Sequence, residues 1–255
     1  MKHNIKPVTA SSFTKRLLVA SLFLLLPLAN AEAQSKNLDS LMRAYGMVDI
    51  QDLAPDILVD LKYSSKDNFV GVDMYGDLER AYLEKEFASR VVAAQKLLKQ
   101  RHSNYTLLIY DAARPISTQR IMRKVVEGTE LERFVASGTK GGRHNYGVAV
   151  DLTIATLDGK PLDMGAGFDD FTDAASVKGT PDTSDSSTRT VDVYRKYMDG
   201  LVSKGIISRS AANNRILLID VMHSAKLYPF RCEWWHFEDI MSMSNVRSKY
   251  KLLDF

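Results

Sequence analysis

Two short stretches of this chain set histidines beside carboxylates at spacings that suit metal-assisted chemistry. His144 lies seven residues before Asp151, and Glu233 lies three residues before His236. A catalytic zinc typically takes three protein ligands from His, Asp and Glu and leaves one position open to water. His144, Asp151 and His236 would fill such a site. Two neutral imidazoles and one carboxylate leave the centre singly positive, so a bound water is acidified towards neutrality. Glu233 then stands over the metal-bound water as general base, a role that needs hydrogen-bond reach.

The spacing sets its own test, because donors to one ion must converge within a few ångströms. Seven residues of strand separate two α-carbons by about 23 Å, and seven of helix by about 10 Å. A bend is therefore required between His144 and Asp151, and Asn145-Tyr146-Gly147 suits one because glycine accepts positive φ. The second stretch carries a similar tension. Glu233 and His236 would share a helix face, yet the Trp-Trp-His-Phe content predicts a strand, where they alternate to opposite faces. Either the strand begins with a bulge, a device common beside active sites, or one of the two points away; local irregularity is the expectation. The alternative is that His144 is a turn histidine and that Glu233 and His236 decorate an aromatic strand. Of the other histidines, His102 reads as the exposed end of a helix and His223 as a packing or surface residue.

The elements that must position these residues are legible in outline. Ile57–Tyr63 reads as a strand by its β-branched content. Leu83, Phe87, Val91, Ala94 and Leu98 fall on one face of a helix reaching about Arg101. Tyr105–Tyr110 is a compact apolar strand ending in Asp111-Ala112-Ala113-Arg114-Pro115, Ile116–Glu127 is helical, and Val148–Ile154 is a second strong strand. From Asp163 to Thr190 the chain is rich in Asp, Ser, Thr and Gly, a loop long enough to suggest function. Two helices follow, Val191–Lys204 and Ser210–Ala225, and Arg231–Asp239 reads as an aromatic strand. Strands and helices mixed without regular alternation predict an α+β single domain, with a mainly antiparallel central sheet flanked by helices and the metal site on the sheet.

At 255 residues, 45% hydrophobic and 25% charged, the chain has the composition of a globular domain, not of a disordered or fibrous one. Residues 1–33 read as a signal peptide: Lys2, Lys6, Lys15 and Arg16 precede an apolar run from Leu17 to Leu28, with cleavage after Ala31 or Ala33. Twelve residues are too few to span a bilayer as a helix, which takes about 20. No stable membrane anchor is expected after cleavage, and residues 34–255 form the working domain in the periplasm or outside the cell. Cleavage after Ala31 removes four basic residues and no acidic one, leaving 30 basic against 31 acidic, a net charge of −1. No basic surplus then favours a nucleic acid partner. Cys232 is the one cysteine, so an intramolecular disulfide and a four-cysteine zinc site are both excluded.

Gly142-Arg143-His144-Asn145-Tyr146-Gly147-Val148-Ala149-Val150-Asp151-Leu152-Thr153, followed by Glu233-Trp234-Trp235-His236, resembles the zinc D-alanyl-D-alanine dipeptidases of the VanX type. The likeness extends to Tyr63 with Asn68-Phe69-Val70-Gly71, to Asp111–Pro115, and to Met164-Gly165 with Phe168-Asp169, so it spans about Leu53 to Glu238. It implies a single zinc held by His144, Asp151 and His236, Glu233 as catalytic base, Arg114 stabilising the oxyanion, and Asp169 meeting the free amino group of a small D,D-dipeptide. A fixed positive charge suits the place where negative charge develops. One departure is Gly142, where the wider family usually carries a serine that contacts substrate. The alternative within enzymes is a D,D- or L,D-carboxypeptidase trimming peptidoglycan stem peptides. A zinc-stabilised wall-binding module is disfavoured, since a structural zinc needs neither Glu233 nor Arg114.

Overall fold

Buried at nearly every position, the stretches 105–111 and 149–156 have the profile of interior strands. The computed structural model describes residues 38–177 and 190–255. It runs α1 (Leu38–Ala44), β1 (Val48–Asp49), α2 (Ile50–Leu53), β2 (Leu58–Val59), β3 (Tyr82–Leu83), α3 (Lys85–Arg101), β4 (Tyr105–Asp111) and α4 (Ile116–Val126). Then come β5 (Ala149–Thr156), α5 (Val191–Ser203), α6 (Arg209–Ser224), β6 (Tyr228–Pro229), β7 (His236–Glu238) and α7 (Met243–Lys249). Five strands form one sheet in the order β2-β4-β5-β7-β6, and β1 pairs with β3 in a separate two-stranded sheet. The fold is α+β. The larger sheet is mixed, because β2 runs parallel to β4 while the other three pairings are antiparallel. Residues 1–33, read as a signal peptide, lie outside the described residues, as does the part of the 163–190 loop from 178 to 189. Among the described residues no helix is long and apolar enough to cross a membrane.

Helix α3 covers the sheet as its periodicity predicts. Phe87, Val91, Ala94 and Leu98 are fully buried, and the helix packs on β4 while α6 packs on β5. Leu83 belongs to β3 instead, because the Glu84 carboxylate caps the helix by accepting from the amides of Glu86 and Phe87 at 2.9 and 3.0 Å. Two expected strands are much shorter than read. In 57–63 only Leu58–Val59 pair, after which a 3-10 turn over Lys62–Ser64 buries Tyr63. In 231–239 only His236–Glu238 pair, since residues 230–236 are spent on two tight turns.

The bend required after His144 is a 3-10 turn, Arg143–Tyr146, closed by Gly147 at φ 69°. A side chain at Gly147 would place its Cβ 2.5 Å from the Met47 Sδ and 2.9 Å from the Glu84 amide nitrogen. Only glycine fits. Gly147→Ala should destabilise the protein by at least about 2 kcal/mol in urea unfolding, from positive-φ strain plus overpacking against backbone. An unchanged midpoint would mean that this turn does not constrain the fold.

Candidate active site

Strand register brings the site together. A bulge in the β4–β5 ladder moves the pairing from Ile109 with Leu152 to Asp111 with Asp151, and Asp151 in turn faces His236 of β7. Asp111, Asp151 and His236 therefore form a row across three strands and share one face of the sheet. The expected irregularity before His236 is a pair of turns: the Glu233 amide donates to the Phe230 carbonyl at 3.3 Å, and the His236 amide to the Glu233 carbonyl at 3.4 Å. Glu233 thus reaches the same side as His236, with its carboxylate 3.9 Å from Nδ1.

The His144 Nε2, Asp151 Oδ1 and His236 Nδ1 atoms converge, with separations of 3.1 Å between the nitrogens and 3.4 and 3.0 Å from each to the oxygen. Donors arranged tetrahedrally at about 2.0–2.1 Å from one ion stand about 3.3 Å apart. The donor set fits a metal in other respects too. Asp151 Oδ1 is buried without an aligned hydrogen-bond donor, a costly state unless a cation faces it. The His144 Nδ1 lies 2.7 Å from the Ala112 carbonyl and the His236 Nε2 lies 3.0 Å from the Glu238 carboxylate. Each imidazole can donate outward there and keep its lone pair for the centre. Burial opposes a charged His236, but the Asp151 and Glu238 carboxylates outweigh it and push its pKa up to about 10. The cluster calls for positive charge. His102 and His223 lie elsewhere, stacked on Tyr105 and edge-on to Tyr228.

These donors open into a cavity of about 390 Å³ whose wall includes Arg114, Asp169 and Glu233. Arg114 is rigidly held: its Nε and Nη2 donate to Asp111 Oδ2 at 3.1 and 2.6 Å, its Nη1 donates to Gln119 at 3.0 Å, and its guanidinium lies over the Tyr63 ring. Tyr75 donates to the other Asp111 oxygen at 2.8 Å. Asp169 sits at φ 58°, a left-handed conformation that aspartate tolerates better than most residues. Its carboxylate accepts from the Tyr63 hydroxyl at 3.1 Å and the Phe69 amide at 3.4 Å. Burial pushes it up to about 7, reinforced by Asp151 and moderated by those two donors. Burial likewise pushes Glu233 up to about 8, offset in part by His236.

A family model described as D-Ala-D-Ala dipeptidase (peptidase M15) matches residues 43–204. The chain belongs to this family of metallopeptidases. It is 29% identical over 192 residues to a D-alanyl-D-alanine dipeptidase of Escherichia coli, covering 75% of this chain and 83% of that protein. It is 25% identical over 234 residues to a D-alanyl-D-alanine dipeptidase of Synechocystis, covering 78% and 87%. The family match takes in Arg114, His144, Asp151 and Asp169 and stops before Glu233 and His236, which reach the same cavity through the pairing of β7 with β5.

Several residues of the site had no role assigned from sequence. Asp111 and Gln119 fix Arg114, and Tyr63 touches both Arg114 and Asp169. Asp111 and Tyr63 already stood inside motifs, but only the fold reveals what they touch. Glu238 had no signal beyond its carboxylate two residues after His236. Because it fixes the outward nitrogen of His236, Glu238→Ala should weaken divalent-metal retention by about 10- to 100-fold, read by competition with a chromophoric chelator. Unchanged retention would show that His236 needs no such partner.

Proposed function

We propose that this metallopeptidase is an exported zinc enzyme that hydrolyses the D-alanyl-D-alanine dipeptide. The observation that carries the dipeptide reading is Asp169, a half-buried carboxylate on the cavity wall whose near contacts are a hydroxyl and an amide and not a cation. A substrate's protonated amine supplies the missing charge. Export rests on the N-terminal pattern of basic residues, apolar run and small residues alone.

His144, Asp151 and His236 would hold the zinc. When bound, it supplies Lewis acidity, polarising the scissile carbonyl and easing deprotonation of water. Glu233 accepts the proton of the attacking water and returns it to the leaving amine. A carboxylate with a raised pKa is the stronger base once ionised. Arg114, fixed by Asp111, Gln119 and Tyr63, presents a guanidinium that needs no reorganisation as the carbonyl oxygen becomes negative. Asp169 and Tyr63 orient the amino end.

Glu233→Gln should keep its metal while kcat falls by about 10²- to 10⁴-fold; metal analysis that finds the variant stripped would place Glu233 among the ligands instead. The wild-type enzyme should lose activity on chelation and regain it with zinc. For substrate size, N-acetyl-D-Ala-D-Ala should be hydrolysed far more slowly than the free dipeptide, since the blocked amine leaves Asp169 without a counter-charge. Asp169→Asn should erode that preference without changing metal content. Comparable kcat/KM for free, acetylated and stem-peptide substrates would favour a carboxypeptidase.

A further inference from the structure

A dipeptide that offers an amine to Asp169 also brings a free carboxylate, and a carboxylate entering a cavity needs a cation or several N–H donors. Three arginines line the wall: Arg114, Arg143 and Arg247. Two of them are engaged. Arg114 is paired with Asp111, and Arg143 donates to the Met241 carbonyl at 2.8 Å and stands 3.4 Å from Glu238. Arg247 has neither an ion pair nor a hydrogen bond among the described residues.

Its placement is built into the fold. Met243 and Arg247, four residues apart, share one face of α7, and both line the cavity. Fully buried Val246 anchors the helix, which packs against the 3-10 turn that carries His144. Arg247 therefore approaches beside a metal ligand, whereas Asp169 is held against Tyr63 and Phe69. The stretch of wall at Gly142 offers the carboxylate little. Gly142 has no side chain, its amide already donates to Asn145 Oδ1 at 2.8 Å, and an added Cβ would meet the Ala136 Cβ at 3.0 Å.

We propose that Arg247 is a specificity residue that receives the C-terminal carboxylate of the leaving residue and so, with Asp169 at the amino end, confines cleavage to the free dipeptide. The proposal rests on the dipeptidase reading above and adds its second recognition contact. Arg247 is exposed at the cavity wall, so its pairing with a carboxylate is partly screened and the expected effect is moderate.

The test compares D-Ala-D-Ala with its C-terminal amide, using the metal-loaded full-length mature enzyme, Arg247→Gln and Arg247→Lys. Wild type should prefer the acid by about two- to fivefold in kcat/KM, mainly through KM. Arg247→Gln should collapse that preference by raising KM for the acid, and Arg247→Lys should restore part of it. Calorimetric binding of D-Ala-D-Ala to Glu233→Gln should weaken similarly when Arg247→Gln is added. Equal loss towards acid and amide, or a wild type that does not distinguish them, overturns the proposal. Failure of the metal-loaded wild type to hydrolyse either substrate overturns the dipeptidase reading itself, a separable result.

Discussion

A buried carboxylate oxygen with imidazole nitrogens at 3.0 and 3.4 Å, and no donor aligned to it, is stable in a protein interior only if a cation balances it. Holding Asp151 in that state is the constraint on which the architecture turns. It needs two ring nitrogens aimed at one point from distant parts of the chain. The antiparallel pairing of β5 with β7 supplies one by setting His236 directly opposite Asp151. The other comes from a 3-10 turn ended by a glycine that no other residue can replace without meeting Met47 and Glu84. Carbonyl and carboxylate groups behind the rings then fix which nitrogen faces inward.

The bulge between β4 and β5 extends the same row to Asp111, and through it to Arg114. A buried arginine alone would be expensive. Paired with Asp111, bonded to Gln119 and stacked on Tyr63, it becomes a fixed positive charge in a wall shared with apolar and aromatic side chains. Asp169 is the converse case, a carboxylate raised by burial and held by neutral donors, so that charge balance is left to whatever enters. The cavity thus separates its electrostatic tasks among residues that differ mainly in whether the fold has already given them a partner.

The types and spacings of His144, Asp151, Glu233 and His236 were enough to raise a metal site, because few combinations of donors serve a hydrolytic zinc and each histidine had a carboxylate nearby. Helix α3 and the spine strands β4 and β5 were legible too, since burial on one face or on both writes a periodic or continuous apolar pattern. The short pairings β2 and β7 were overread. Val, Ile and aromatic content reports that a segment fits a half-buried surface, while the point where pairing stops depends on what the neighbouring strand offers.

What only the tertiary structure decided is which side chains are neighbours. Sequence led to an expected irregularity between Glu233 and His236 without giving its form; two turns, closed by backbone bonds to Phe230 and Glu233, supply it. It could not connect Tyr63 to Asp169 across 106 positions, or align Asp111 with Asp151 through a one-residue bulge. Local sequence determines the chemistry each residue can offer. Register and bulges are set by long-range pairing, and they determine which of those residues face the same cavity.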